Sequence, residues 1–317
     1  MSTPTFDDVR AAAARIAGHA HATPVLRSRA LDALAGCELH FKAEHLQRAG
    51  AFKFRGACNA VMALDEAALA RGLVTQSSGN HGAALALAAS LRGARATIVA
   101  PSTTPAVKLA AMRGYGGDVL LCEPTQAARD AATARVLAEG GGTLVHPFND
   151  PFVMAGQGTA TLELLREVPG LDIVVAPVSG GGLLSGTALA AHGIDPSIRV
   201  IGAEPAGAPD AHASLAAGTR TANARVDTIC DGLRADVGVA TFPILQAHVM
   251  RVLLVDDAAT RAAMELVLTR MKQLVEPSAA IALAAVLAYP EVFAGRRVGL
   301  IVSGGNVDPG ALTELLG

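Results

Sequence analysis

An alternation constrains the fold more than any other feature of this chain. Short runs that are apolar throughout recur at Thr97–Ala100, Val119–Cys122, Ile173–Ala176, Val200–Ala203, Val252–Val255 and Val298–Val302. Alanine- and leucine-rich stretches at helical spacing lie between most of them, as at Ala83–Leu91, Thr125–Ala138 and Ala258–Leu274. Strands that are apolar at every position are buried on both faces, and interleaved helices supply the cover. The pattern therefore predicts an α/β protein built on parallel sheets. Ala203–Asp231, with many small or polar residues and little periodicity, reads as an irregular surface excursion.

The chain has 317 residues, 51% of them hydrophobic, which is material for about two cored domains. Lys plus Arg (26) nearly balance Asp plus Glu (28), giving a formal net charge of −2. That balance predicts no nucleic-acid partner and no anionic membrane partner. No apolar run is long and unbroken enough to span a bilayer. The segment Met1–Asp8 lacks the basic-then-apolar order of a signal peptide. Cys37, Cys58, Cys122 and Cys230 are widely separated, with no Cys-x-x-Cys pair. A zinc site or disulfide frame is not expected, and reduced thiols in a cytoplasmic protein are.

One lysine and three glycine-rich loops carry the chemistry. Lys53 stands in the run Gly50–Ala57 between Phe52 and Phe54, in a chain with only 8 Phe, 2 Tyr and no Trp. Apolar surroundings disfavour the ammonium form, and a neutral amine can attack a carbonyl to form a Schiff base. The same run also suits a lysine whose stem simply lies along an apolar helix face. The loops are Gln76–Gly82, Val178–Leu183 and Ile301–Asn306, the first entering an alanine-rich helix and the other two following apolar strands. Backbone N–H groups at a glycine-rich helix start can bind a phosphate dianion, because the donors are free and the dipole is favourable. Gly180, Gly182 and Glu204 also partly match a dinucleotide fingerprint. Its third glycine would fall at Ser185, with Gly186 one residue late, and Lys53 and the Ser77–Gly82 loop would be left without a role.

Together these segments resemble the fold-type II pyridoxal-phosphate enzymes, and within them the serine/threonine dehydratase and serine racemase family. The resemblance spans nearly the whole chain, through Phe41–Gln47, Ser77–His81, Gly156-Gln157-Gly158-Thr159, Glu204-Pro205, Glu276-Pro277-Ser278 and Ser303–Asp308. It implies two doubly wound open-sheet domains, as in the tryptophan synthase β fold, with the active site in the cleft. The large domain would take residues 1–62 and 148–317, and the small domain residues 63–147.

The resemblance also assigns roles. Lys53 would hold pyridoxal 5′-phosphate through its amine and act as the base on the substrate Cα. Phe52 would pack beside the cofactor ring. Ser179, Gly180, Gly181, Gly182 and Leu183 would cradle the phosphate, the Ser179 hydroxyl adding a contact where many relatives have glycine. Asn80 would hydrogen-bond the cofactor's O3′, and Ser303 would face the pyridine nitrogen. Ser77, Ser78, Gly79, Asn80 and His81 would capture the substrate carboxylate, with Ser78 as a second acid/base on the opposite face. A hydroxyl at the pyridine nitrogen does not keep it protonated as a carboxylate would. The ring is then a weaker electron sink, which favours prompt loss of a β-hydroxyl.

The implied reaction is dehydration and deamination of a β-hydroxy amino acid such as L-threonine or L-serine to a 2-oxo acid and ammonia. A serine racemase with side dehydratase activity, a phenylserine or 3-hydroxyaspartate dehydratase, and a non-enzymatic ligand-binding relic are the alternatives. Ala51 replaces a serine common in the family and leaves the preferred side chain open. His146 is implied to lie near the site, whereas His19 and His21 read as a solvated pair. Glu204, the Ala208 carbonyl and Asp210 resemble the racemase divalent-cation loop, and such hard oxygen ligands suit Mg²⁺ or Ca²⁺. A homodimer is the family expectation.

Overall fold

The structure is a computed structural model that describes residues 3–140 and 142–316. Its strands are β1 (Val25–Leu26), β2 (Glu38–Lys42), β3 (Leu73–Gln76), β4 (Ala96–Pro101), β5 (Asp118–Cys122), β6 (Thr143–Leu144), β7 (Ile173–Pro177), β8 (Arg199–Pro205), β9 (Arg251–Val255) and β10 (Arg297–Ile301). They form a six-stranded sheet in the order β1-β2-β10-β7-β8-β9 and a four-stranded sheet in the order β5-β4-β3-β6. Among the described residues, the β1–β2 pairing is antiparallel and the other pairings between these strands are parallel.

Both sheets are doubly wound, and each has one reversal. The chain steps outward from β7 through β8 to β9, then returns to lay β10 on the other side of β7. In the smaller sheet it steps from β3 through β4 to β5, then lays β6 on the other side of β3. Such reversals leave a crevice at the carboxyl ends of the two diverging strands. The loops after β7 and β10 occupy one crevice, and those after β3 and β6 the other.

Burial explains the apolar runs. In β7 and β8, Val175 and Ile201 enter one core cluster while their neighbours Val174 and Val200 enter another on the opposite face. The smaller sheet shares a cluster with the helix Lys53–Met62, through Phe54, Ala57, Val61, Leu73 and Ile98. β5 departs from the expectation of two covered faces. It is an edge strand, and Leu121 is 46% exposed.

Glycines set how closely the central helices approach. A Cβ on Gly156 in the helix Pro151–Glu167 would lie 2.6 Å from Gly56 Cα, and one on Gly158 would lie 2.7 Å from the Gly186 carbonyl oxygen. Gly186, out of register for a dinucleotide loop, is thus a helix-packing residue.

Two sequence expectations need correction. The helix expected over Ala258–Leu274 runs as Asp257–Leu266, continues as a π-turn over Val267–Met271 and stops at Lys272, whose φ is 59°. Beyond it the chain is drawn away, and the Gln273 amide oxygen meets His45 Nε2 at 2.9 Å. The Ala203–Asp231 excursion is not irregular throughout, because it holds a helix at Asp210–Ala217. That helix is capped from a distance. Glu204, at the end of β8, accepts hydrogen bonds from the Ala211 and His212 N–H groups at 2.7 and 2.8 Å. The N-cap position itself is Pro209, which offers no side-chain acceptor, so the usual local signal is missing.

Candidate active site

The two crevices face each other and share contacts. Lys53 opens the helix Lys53–Met62 and donates from Nζ to the Pro147 carbonyl, just after β6, at 3.1 Å. Phe148, the next residue, lies against Gly180 and Gly182 of the loop after β7. Ala51 bridges to Gly304 after β10, and the Phe52 N–H donates to the Ser303 carbonyl at 2.9 Å. Lys53 is therefore held where all the loops meet.

Its surroundings explain its acidity. Burial pushes the Lys53 amine down to about 8, and buried Glu276 only partly restores it. A cation at a helix N-terminus is disfavoured by the helix dipole, which works in the same direction. The ammonium lies 5.2 Å from the Phe52 ring centroid, and no carboxylate pairs with it among the described residues.

The loop after β7 leaves a row of donors. Gly181 has φ 89° and opens the helix Gly182–Ile194 without a side-chain cap. The N–H groups of Gly180, Gly181, Gly182 and Leu183 meet no protein acceptor among the described residues, although these residues are buried. Unpaired buried N–H groups are costly, so the row is built for an anion. Ser179 has a protein partner as well. Its hydroxyl donates to the Ala235 carbonyl and accepts from the Ala235 N–H, both at 3.0 Å, which ties the loop to the segment just past the Ala203–Asp231 excursion.

A second row lies after β3. Ser77 Oγ accepts from the Gly79 N–H at 3.2 Å and the Gly82 N–H at 3.0 Å, which fixes the loop. The N–H groups of Ser78, Asn80 and His81 meet no acceptor among the described residues. Ser78 is exposed. The buried His81 ring is turned inward to the Val145 carbonyl, 3.1 Å from Nε2, while Nδ1 has no partner. Burial, with Lys53 nearby, pushes this imidazole down to about 3, so it is neutral. Its backbone N–H, not its ring, is the group left for a carboxylate.

Glu276, Asn306, Lys108 and Asp231, which sequence reasoning left without a role, complete the centre. Asn80 Nδ2 faces both oxygens of Glu276 at 2.9 and 3.2 Å, while its Oδ1 accepts from Asn306 Nδ2 at 3.0 Å. Burial pushes Glu276 up to about 7, with Asp231 adding to the rise. Glu276-Pro277-Ser278 was visible as a motif, but its contact with Asn80 spans 196 residues of chain. Ser303 is buried, and its hydroxyl donates to the Ser278 carbonyl at 3.3 Å. His146 Nδ1 accepts from the Phe148 and Asn149 N–H groups, so this imidazole shapes the turn that presents the Pro147 carbonyl. Lys108 packs over Gly79 and pairs with Asp231 across the cleft.

The helix start carrying Lys53 is braced from below. Fully buried Arg55 donates to Glu44 at 2.7 and 2.9 Å and to Glu163 at 2.7 Å through two nitrogens. Lys42 joins Glu163 at 2.6 Å. Within this cluster two cations thus face two carboxylates, so its buried charges are compensated.

Glu204, Ala208 and Asp210 lie at the carboxyl end of β8, beside the start of the loop after β7, where the Ala203 carbonyl accepts from the Val178 N–H at 2.9 Å. Both carboxylates are buried, and Asp210 accepts from the Asn223 side chain at 2.8 Å and the Val237 N–H at 2.6 Å. Burial pushes Glu204 up to about 8 and Asp210 up to about 6. No cationic side chain pairs with either among the described residues. No cluster of three or more His, Cys, Asp or Glu side chains suited to a metal occurs among the described residues, so a cation here would rely on the Ala208 carbonyl as well.

A lysine of lowered pKa set among glycine-rich rows of free N–H groups, at two facing switch points, defines a site for a phosphorylated carbonyl compound. The chain matches the family described as "Pyridoxal-phosphate dependent enzyme" over residues 16–304, and it belongs to that family. It is 45% identical to a serine racemase of Dictyostelium discoideum, covering 100% of this chain and 99% of that one. It is 46% identical to a beta-hydroxyaspartate dehydratase of Paracoccus denitrificans, covering 97% and 98% of the two chains. The solved structure of maize serine racemase superposes with a TM-score of 0.96 at 46% identity, covering 99% of this chain and 97% of that one. The dinucleotide reading is thereby set aside. The chain is a pyridoxal-phosphate-dependent enzyme of fold type II.

Proposed function

We propose that this enzyme catalyses dehydration and deamination of a β-hydroxy amino acid such as L-serine or L-threonine, releasing a 2-oxo acid and ammonia. The observation that carries this reading is the Lys53 amine, held by a backbone carbonyl at 3.1 Å with no carboxylate pairing it among the described residues. An amine so placed is available to hold the cofactor and to take a proton. The bound cofactor withdraws electrons from the substrate, which makes the Cα–H acidic. Gly180–Leu183 would receive its phosphate, Phe52 would flank its ring, Asn80 would meet O3′ and Ser303 the ring nitrogen. The free N–H groups of Ser78, Asn80 and His81 would hold the substrate carboxylate. Lys53 would take the Cα proton and leave the β-hydroxyl to depart as water.

Racemisation is the second reading, favoured by the exposed Ser78 in the carboxylate loop. A hydroxyl on the opposite face could exchange the same proton with help from its neighbours. The relatives' names support both readings and a 3-hydroxyaspartate substrate as well. Incubating the holoenzyme with L-serine, D-serine, L-threonine, L-threo-phenylserine and 3-hydroxyaspartate, and scoring oxo acid against racemised product, separates them. Absence of both products from all five substrates would refute the reading.

A divalent ion, Mg²⁺ or Ca²⁺, is proposed at Glu204, Ala208 and Asp210. Its support is a buried carboxylate pair without a cation, in which each oxygen keeps a lone pair beyond its hydrogen bond. The ion would brace the helix Asp210–Ala217. We also propose a large domain of residues 1–62 and 148–317 and a small domain of 63–147, supported by the separate sheet of β3–β6. A homodimer in the cytoplasm completes the proposal. Free Cys37, Cys58, Cys122 and Cys230 suit a reducing compartment, and no described helix is long and apolar enough to cross a membrane.

A further inference from the structure

The helix Gly182–Ile194 begins at the phosphate loop and carries His192 near its other end. The helix Phe242–His248 follows Thr241, whose hydroxyl donates to the Gly180 carbonyl at 2.7 Å, and it ends at His248. Two helices that meet at the phosphate loop therefore meet again at a pair of imidazoles. The two Nδ1 atoms are 3.2 Å apart, and the rings are steeply inclined at 70°. Neither histidine has a role in the proposed chemistry.

The pair has the features of a chelate. Two nitrogens bound to one tetrahedral zinc ion at 2.0–2.1 Å would lie about 3.3 Å apart. His192 Nε2 lies 3.1 Å from the Ile198 carbonyl, and that acceptor requires the proton on Nε2 and leaves Nδ1 as a bare lone pair. A backbone carbonyl fixing the far nitrogen is the usual arrangement behind a metal-bound imidazole. Both rings are only half-buried, so an ion has access, and both sit at helix C-termini, where a cation is favoured.

We propose that His192 and His248 form a binding site for a late divalent cation such as Zn²⁺, with water completing its coordination. Imidazole pairs suit zinc and its neighbours and not Mg²⁺ or Ca²⁺, so the site is chemically distinct from Glu204 and Asp210. In the metal-free protein the His248 Nδ1–H would donate to His192 Nδ1, and on metal binding that proton would pass through solvent to His248 Nε2, leaving the Nδ1 lone pair for the ion. A bound ion ties together the C-terminal ends of the helices whose opposite ends frame the phosphate loop.

The test is calorimetric titration of the holoenzyme with Zn²⁺ in saturating Mg²⁺, together with thermal melting. Wild type should bind one ion and melt higher with Zn²⁺. His248→Gln and His192→Gln should each weaken binding roughly a hundredfold, because one of two tethered ligands is lost. Both variants should keep turnover without Zn²⁺, which shows that they fold. Failure of wild type to bind below millimolar Zn²⁺ would reduce the pair to a hydrogen bond. Equal binding by wild type and both variants would place the zinc elsewhere. Either result overturns the proposal.

Discussion

Gly180→Ala tests whether the phosphate loop is positioned by packing against Phe148. A Cβ at Gly180 would fall 2.3–2.5 Å from three carbons of the Phe148 ring, far inside van der Waals contact. The ring or the loop must move, at roughly 1–3 kcal/mol for overpacking of this kind. Loss of one charge-assisted hydrogen bond to the phosphate would remove about 1.5–3 kcal/mol of cofactor binding. The cofactor dissociation constant should therefore rise about ten- to a hundredfold. Phe148 also follows Pro147, whose carbonyl accepts from Lys53, so turnover should fall even at saturating cofactor. The assay is titration of apoprotein with pyridoxal 5′-phosphate, followed by absorbance, alongside thermal melting of apoprotein. Phe148→Ala removes the obstructing ring. In that background Gly180→Ala should cost less than in wild type by at least about 1 kcal/mol, the coupling expected of residues in contact. Unchanged cofactor affinity in Gly180→Ala, or an undiminished cost in the Phe148→Ala background, would refute the argument.

Lys53→Ala should abolish both turnover and the borohydride-sensitive visible band of the holoenzyme, and full retained activity would remove Lys53 from its proposed role. Ser78→Ala should abolish racemisation and D-serine elimination while sparing part of L-serine elimination; equal losses on both enantiomers would assign Ser78 to carboxylate binding or folding. Chelator should lower the melting temperature and activity, and Mg²⁺ should restore both, the stabilisation being about 2.7 kcal/mol at a hundredfold excess over Kd. Asp210→Ala should ignore added Mg²⁺, and a chelator-insensitive wild type would sink the metal proposal. In ligand-free protein, Glu276 is raised from 4.5 to about 7, so its stability contribution is complete below pH 4.5 and is lost as pH rises through 7. Urea unfolding should find Glu276→Gln more stable than wild type at pH 8, by up to about 3 kcal/mol, and similar at pH 5. An identical pH slope in both would contradict the assigned burial.

Much of the fold was legible because its signals are local. The six apolar runs fall on β4, β5 and β7–β10, with Val302 alone one residue past its strand, and the helices expected around Ala83–Leu91 and Thr125–Ala138 form as Asn80–Ser90 and Gln126–Gly140. What escaped depends on distant partners. The helix Asp210–Ala217 is capped by Glu204, outside any N-cap window, and the end of the helix beginning at Asp257 is redirected by His45 from β2's end of the chain. The glycine at 186 failed as a nucleotide signal because its partner is Gly158 on another helix.

By itself the sequence determined that parallel sheets would form, that glycine-rich loops would follow their strands, and that Lys53 would stand between two phenylalanines. Those are properties of neighbouring residues, and local sterics and hydrophobicity suffice for them. Only the tertiary structure decided the chemistry of the site. Lys53 is deprotonated more readily because segments remote in sequence bury it, and its carbonyl partner Pro147 is 94 residues away. Asn80 is oriented by Glu276 and Asn306, 196 and 226 residues on. Desolvation and hydrogen-bond direction are sums over everything packed nearby, and no linear stretch of chain contains that sum.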